Sequence, residues 1–91
     1  MGDARVVLFG RAGCHLCEDA RAVVADVCGR TGDTWVEVDV DDPQGAGEGR
    51  DLVGELGELV PVVQVDGVTQ GYWRIDARHL ERALSRPRAT P

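Results

Sequence analysis

Two cysteines three residues apart, Cys14 and Cys17, come almost directly after a short apolar run, Val6-Val7-Leu8-Phe9, and open a segment with helical periodicity. That order constrains the fold most, because it puts a thiol pair where a strand hands over to a helix. Arg5 to Gly10 is apolar at nearly every position rather than every second one, the pattern of a buried strand in a parallel sheet. From Cys14 onward Leu16, Ala20, Val23, Val24 and Val27 keep to one helical stripe. Gly29 is expected to cap that helix, and Thr31-Gly32-Asp33 to turn into a second strand, Thr34 to Asp39.

Side chains three apart in a first helical turn face the same side, so the two sulfurs can close a disulfide with little backbone movement. Cys14, at the cap, meets unpaired backbone N–H groups and the positive end of the helix dipole, and both favour thiolate. A free thiol of pKa about 8.5 is only a few per cent ionised at neutral pH, so this stabilisation decides reactivity. Cys17 lies further into the helix, where apolar burial keeps a thiol neutral. Cys14 is therefore expected to attack a disulfide, and Cys17 to resolve the mixed disulfide that results. His15 either adds positive charge beside Cys14 when protonated or is a solvated residue at the helix start. Arg11, three residues before Cys14, is a candidate for holding an anionic substrate. Cys28 reads as a small buried hydrophobe and His79 as a surface residue.

Further along, Asp42-Pro43 is a helix start. Gly45, Gly47, Gly49 and Gly54 weaken the next stretch, so a short helix carrying Leu52, Val53 and Leu56 is expected to end at Gly57. Val60-Pro61 leads into a strand, Val62 to Val65, then an Asp66-Gly67 hairpin turn and its antiparallel partner, Val68 to Trp73. Asp76 caps a last helix, with Ile75 and Leu80 at the positions of a hydrophobic staple and Leu80, Ala83 and Leu84 as its buried stripe. The order is β-α-β-α-β-β-α. A right-handed crossover between the first two strands predicts a four-stranded mixed sheet with helices on both faces.

The chain has 91 residues, enough for one core; residues 1–85 are read as a single domain and 86–91 as a tail. Its net charge is −6 and its ten bases include no lysine, so there is no basic stripe of the kind that neutralises phosphates; neither a nucleic-acid nor a membrane role is expected. The apolar run near the start is too short for a signal peptide core, which predicts a cytoplasmic protein. In a reducing compartment, a closely spaced cysteine pair suggests redox chemistry or metal binding before a structural staple.

Through Cys14-His15-Leu16-Cys17, the Val60-Pro61 step and the Asp66-Gly67 hairpin, the sequence resembles glutaredoxins, and more closely the small bacterial glutaredoxin-like proteins, over about residues 5 to 85. The resemblance implies a thioredoxin-like fold and a cis peptide bond before Pro61, with that proline against the active-site sulfurs. It also implies that Val60 offers its backbone to a substrate peptide, as in β-strand addition. Arg11 matches the basic residue with which glutaredoxins help bind a glutathione carboxylate, which makes glutathione a possible co-substrate without a resident cofactor. Glutaredoxins have Pro-Tyr where this chain has His15-Leu16. Where they have a Gly-Gly pair followed by Asp, it has Gly71-Tyr72-Trp73-Arg74-Ile75-Asp76. The expected partners are a protein or small disulfide and a glutathione or thioredoxin-type reductant, acting on a monomer.

Two rival readings stand beside this one. A Cys-x-x-Cys pair is also half of many zinc sites, although only Cys28, His15 and His79 remain to complete one, and a cluster shared between two chains through Cys14 and two glutathiones is the iron–sulfur variant. The other rival is a redox-inactive interaction module.

Overall fold

β1 (Val6–Gly10) lies between two other strands of the sheet, so neither of its edges is free, and of its five residues only Val7 is not fully buried. In this computed structural model, residues 4–41, 54 and 56–86 are described. The remaining elements among them are α1 (His15–Thr31), β2 (Trp35–Asp39), β3 (Val62–Val65), β4 (Val68–Tyr72) and α2 (Ala77–Leu84). The sheet order is β2-β1-β3-β4, with β1 parallel to β2 and antiparallel to β3, and β3 antiparallel to β4. This is the mixed four-stranded α/β architecture expected. Asp66 (φ 52°) and Gly67 (φ 83°) form the two-residue hairpin turn joining β3 to β4, both in the left-handed region that such a turn requires.

The period of two along each strand sorts the side chains onto two faces. Val6, Leu8, Val63 and Val65 pack against Ala20, Val24, Val27 and Cys28 of α1 and Leu80 and Leu84 of α2. Phe9 and Val62 point the other way and meet Val40, Leu56, Leu59 and Val60. Each fully buried Val or Leu is worth about 1.5–3 kcal/mol over an exposed one, so the first face carries the larger share of the stability from these two clusters. Of the short helix expected before Gly57, Gly54 and Leu56 are helical; its entry at Asp42-Pro43, Leu52 and Val53 fall outside the described residues, as does the tail beyond Arg86.

α1 does not stop at Gly29. It continues to Thr31 and is capped by Gly32, whose φ of 80° turns the chain left-handed while its N–H donates to Cys28 O at 2.8 Å. Gly29 stands on the solvent side, inside the helix. At the far end of the chain Asp76 caps α2 as expected, accepting from the Arg78 and His79 N–H groups, and Ile75 and Leu80 join the same core. Among the described residues no helix is long and apolar enough to cross a membrane.

Candidate active site

Cys14 is the N-cap of α1, in extended conformation (φ −96°, ψ 110°), and the Cys17 N–H donates to its Sγ at 3.1 Å. The structure holds the two as a disulfide with Cα atoms 5.1 Å apart. Their surroundings differ sharply. Cys14 is half-buried and reachable, whereas Cys17 is 1% exposed. An amide hydrogen aimed at the Cys14 sulfur, together with the helix dipole, stabilises negative charge there once the disulfide is reduced.

Gly10, the last residue of β1, closes over the inner sulfur: a Cβ placed on it would lie 3.3 Å from Cys17 Sγ. Pro61 follows a cis bond from Val60, as the resemblance implied, and is buried. It stands one step beyond the Phe9–Val62 pair, so the register sets it beside Gly10 at the disulfide end of the sheet. Val60 is half-buried, and its N–H is already spent on Leu56 O at 3.1 Å, which leaves its carbonyl as the group to offer a strand.

Arg11 sits beside this end but is engaged. Its guanidinium donates in a fork to Asp41, 3.0 Å at both contacts, and reaches Gly57 O at 3.4 Å. The expected anion-binding cation therefore already holds a carboxylate of its own chain. His15 is exposed at 96% of its side chain and lies 3.5 Å from Glu18, on the outer side of the first turn. His79 meets Gln70 at 3.0 Å on the surface, and Cys28 is buried in the core with its thiol pKa pushed up by that burial.

Two clefts flank the disulfide end. One, of about 370 Å³, is lined by Gly10, Arg11, Ala12, Arg21, Glu37 and Asp39. Across it the Arg21 fork donates to both Glu37 oxygens at 2.7 Å, and this holds the Glu37 carboxyl below its ordinary range. The other, of about 420 Å³, is lined by Leu16, Tyr72, Trp73 and Arg74.

No rule of propensity singles out Trp73, yet its backbone is the most unusual feature of the site. Its φ is 65°, and the Arg74 N–H returns to Tyr72 O at 2.9 Å, so Trp73 is the centre of a γ-turn of the rare, strained hand. A left-handed residue with a large side chain costs about 1–2 kcal/mol. Two further bonds hold it there: Trp73 N–H to Pro61 O at 2.8 Å and the indole N–H to Glu58 O at 3.0 Å. The residue is nevertheless 51% exposed, and its ring meets the Tyr72 ring edge-on, 5.2 Å between centres.

The family model for the glutaredoxin-like domain (DUF836) matches residues 5–85. The uncharacterized protein Rv0508 of Mycobacterium tuberculosis is 31% identical over 86 residues, covering 94% of this chain and 88% of that protein. Among solved structures, the structural-genomics target XcR50 from X. campestris is 29% identical with a TM-score of 0.66, over 88% of this chain and 95% of that one. The holo form of glutaredoxin C1 from Populus tremula x tremuloides shares the fold, with a TM-score of 0.55 at 22% identity over 88% of this chain and 70% of that one.

Proposed function

The chain belongs to the glutaredoxin-like domain family (DUF836), and we propose on that footing that it is a dithiol thiol–disulfide oxidoreductase of the cytoplasm, active as a monomer. The observation that carries the proposal is the asymmetry of the pair: a reachable Cys14 sulfur under an aimed N–H, and a Cys17 enclosed beneath Gly10.

In the reduced protein the Cys14 thiolate attacks one sulfur of a substrate disulfide. A bond forms between Cys14 Sγ and that sulfur as the substrate S–S bond breaks, and the other substrate sulfur leaves as a thiolate that takes a proton from water. Cys17 then loses its proton and attacks Cys14 Sγ. The second substrate thiolate leaves and the Cys14–Cys17 disulfide forms, so two electrons have passed from protein to substrate. A thiol reductant, either two glutathione molecules or a thioredoxin-type dithiol, returns them.

The test uses single variants of the full chain. Cys14→Ser is expected to abolish reduction of a disulfide substrate, whereas Cys17→Ser accumulates a mixed disulfide detectable by mass spectrometry. Equal alkylation rates of the two single variants across pH 5 to 9 would remove the basis for the assigned roles. Visible absorption bands in the purified protein would favour the cluster-binding alternative instead.

A further inference from the structure

Trp73 is held half-exposed, in a cleft it shares with Leu16, by three hydrogen bonds and in a backbone conformation that its residue type disfavours. A strained residue persists where its surroundings over-determine it, and such residues concentrate at ligand-contacting positions. The surroundings here point to the reacting end. The turn is tied to the carbonyl of Pro61, which stands next to Gly10, and the indole shares its cleft with Leu16, which lies between the two cysteines in sequence. Two clefts at this end are open to whatever is bonded to Cys14 in a mixed disulfide: this one, and the one lined by Gly10 and Arg11.

The two sides differ in chemistry. On the Arg21 side, both cations are already matched by carboxylates, Arg11 by Asp41 and Arg21 by Glu37, and Asp39 adds a further negative charge. A small dianionic disulfide such as that of glutathione finds no uncommitted cation there among the described residues. On the Trp73 side the exposed indole, the Tyr72 ring and Leu16 present apolar surface, and Arg74 completes the lining. Apolar surface of this kind is complementary to an uncharged side chain.

Resting on the oxidoreductase reading above, we propose that Trp73 is a specificity-determining residue and that the substrate is a polypeptide disulfide carrying an apolar or aromatic side chain beside its reacting cysteine. That side chain enters the cleft between Leu16 and Trp73 while the cysteine sulfur meets Cys14. The Val60 carbonyl accepts from the substrate backbone, while the Val60 N–H, committed to Leu56, does not take part.

The experiment measures single-turnover rate constants of the pre-reduced full chain with three disulfides: a homodimeric peptide with Phe next to its cysteine, the same peptide with Asp in that place, and hydroxyethyl disulfide, which has no side chain to place. The Phe peptide is expected to react about tenfold faster than the Asp peptide. Trp73→Ala should bring the ratio of Phe-peptide to hydroxyethyl disulfide rates down by about the same factor, and Trp73→Phe should keep most of it. Trp73→Gly, which suits the left-handed backbone, repeats the ring deletion should the alanine variant fold poorly. Equal rates for the two peptides, or a uniform slowing that leaves the ratios unchanged in the variants, would overturn the proposal while leaving oxidoreductase activity intact. No reaction with any of the three disulfides would sink the oxidoreductase reading itself, and this one with it.

Discussion

Gly10 and Cys17 touch where β1 gives way to α1: a β-carbon on Gly10 would stand 3.3 Å from Cys17 Sγ and 3.5 Å from Cys17 Cβ. Both atoms belong to a short side chain tied to Cys14, so the contact cannot be relieved by swinging a flexible end away. Gly10→Ala is expected to destabilise the oxidised protein by about 1–2 kcal/mol. The reduced form should lose less, because a free Cys17 can change rotamer. Urea unfolding of both forms checks this, and an equal loss in the two would show that the crowding does not act through the disulfide.

Two glycines three apart, at the end of α1 and just beyond it, make opposite predictions. Gly32 adopts φ 80° at the cap, so Gly32→Ala should cost about 1 kcal/mol. Gly29 is a solvent-facing helical residue with nothing within 4 Å of a methyl placed on it, so Gly29→Ala should gain about 0.5–1 kcal/mol. Thermal unfolding midpoints moving in the same direction would place the cap elsewhere.

Acid should weaken the fold through carboxylates that are bonded only in the native state. Glu37 is held below its ordinary 4.5 chiefly by the Arg21 hydrogen bonds, and Asp76 below its ordinary 3.8 chiefly by the His79 and then the Arg78 backbone N–H. Folded pKa values lower than unfolded ones mean that this stability is fully present above the ordinary carboxylate range and is lost as pH falls through the folded values. Glu37→Gln and Asp76→Asn should each flatten the fall in melting temperature below the ordinary carboxylate range; slopes unchanged from the parent chain would discount these two groups.

The Arg11–Asp41 fork predicts a gain rather than a loss. Asp41→Asn releases the guanidinium next to the disulfide, and reaction of the reduced protein with glutathione disulfide should rise by about threefold at low salt, the gain shrinking as ionic strength increases. A salt-independent change would argue against an electrostatic origin.

What can be read from the residues is what local pattern encodes. The apolar run of β1, the stripe through Ala20, Val24 and Val27, the Asp66-Gly67 turn and the Asp76 cap each depend on neighbours a few positions away, and each stands where its pattern puts it. Gly29 misleads because glycine at a helix end and glycine on a solvated helix face look alike until the backbone angle is known. Arg11 misleads for a different reason: its partner lies thirty positions away, and nothing local announces that a cation is already matched. The pairing of Arg21 with Glu37 is hidden on the same account, since sixteen residues and a strand crossover separate them. Trp73 runs against residue preference, with glycine the ordinary occupant of its conformation, so no rule of propensity points to it. Its signal is present only as a departure, an aromatic pair where glutaredoxins carry glycine.

Arg5 lies at the opposite end of β1 from the cysteines. Its guanidinium donates to Asp66 at 3.2 and 3.0 Å, to Asp33 at 3.4 Å, and to the carbonyls of Leu84 and Arg86 at 3.3 and 3.1 Å. One side chain thus knots the entry of the first strand to the exit of the last helix. A load applied between Arg5 and Arg86 would be carried across this short bridge. A tether attached at Arg5 or Arg86 would therefore sit at the end of β1 opposite the cysteines and leave the sulfur-bearing pole facing solution.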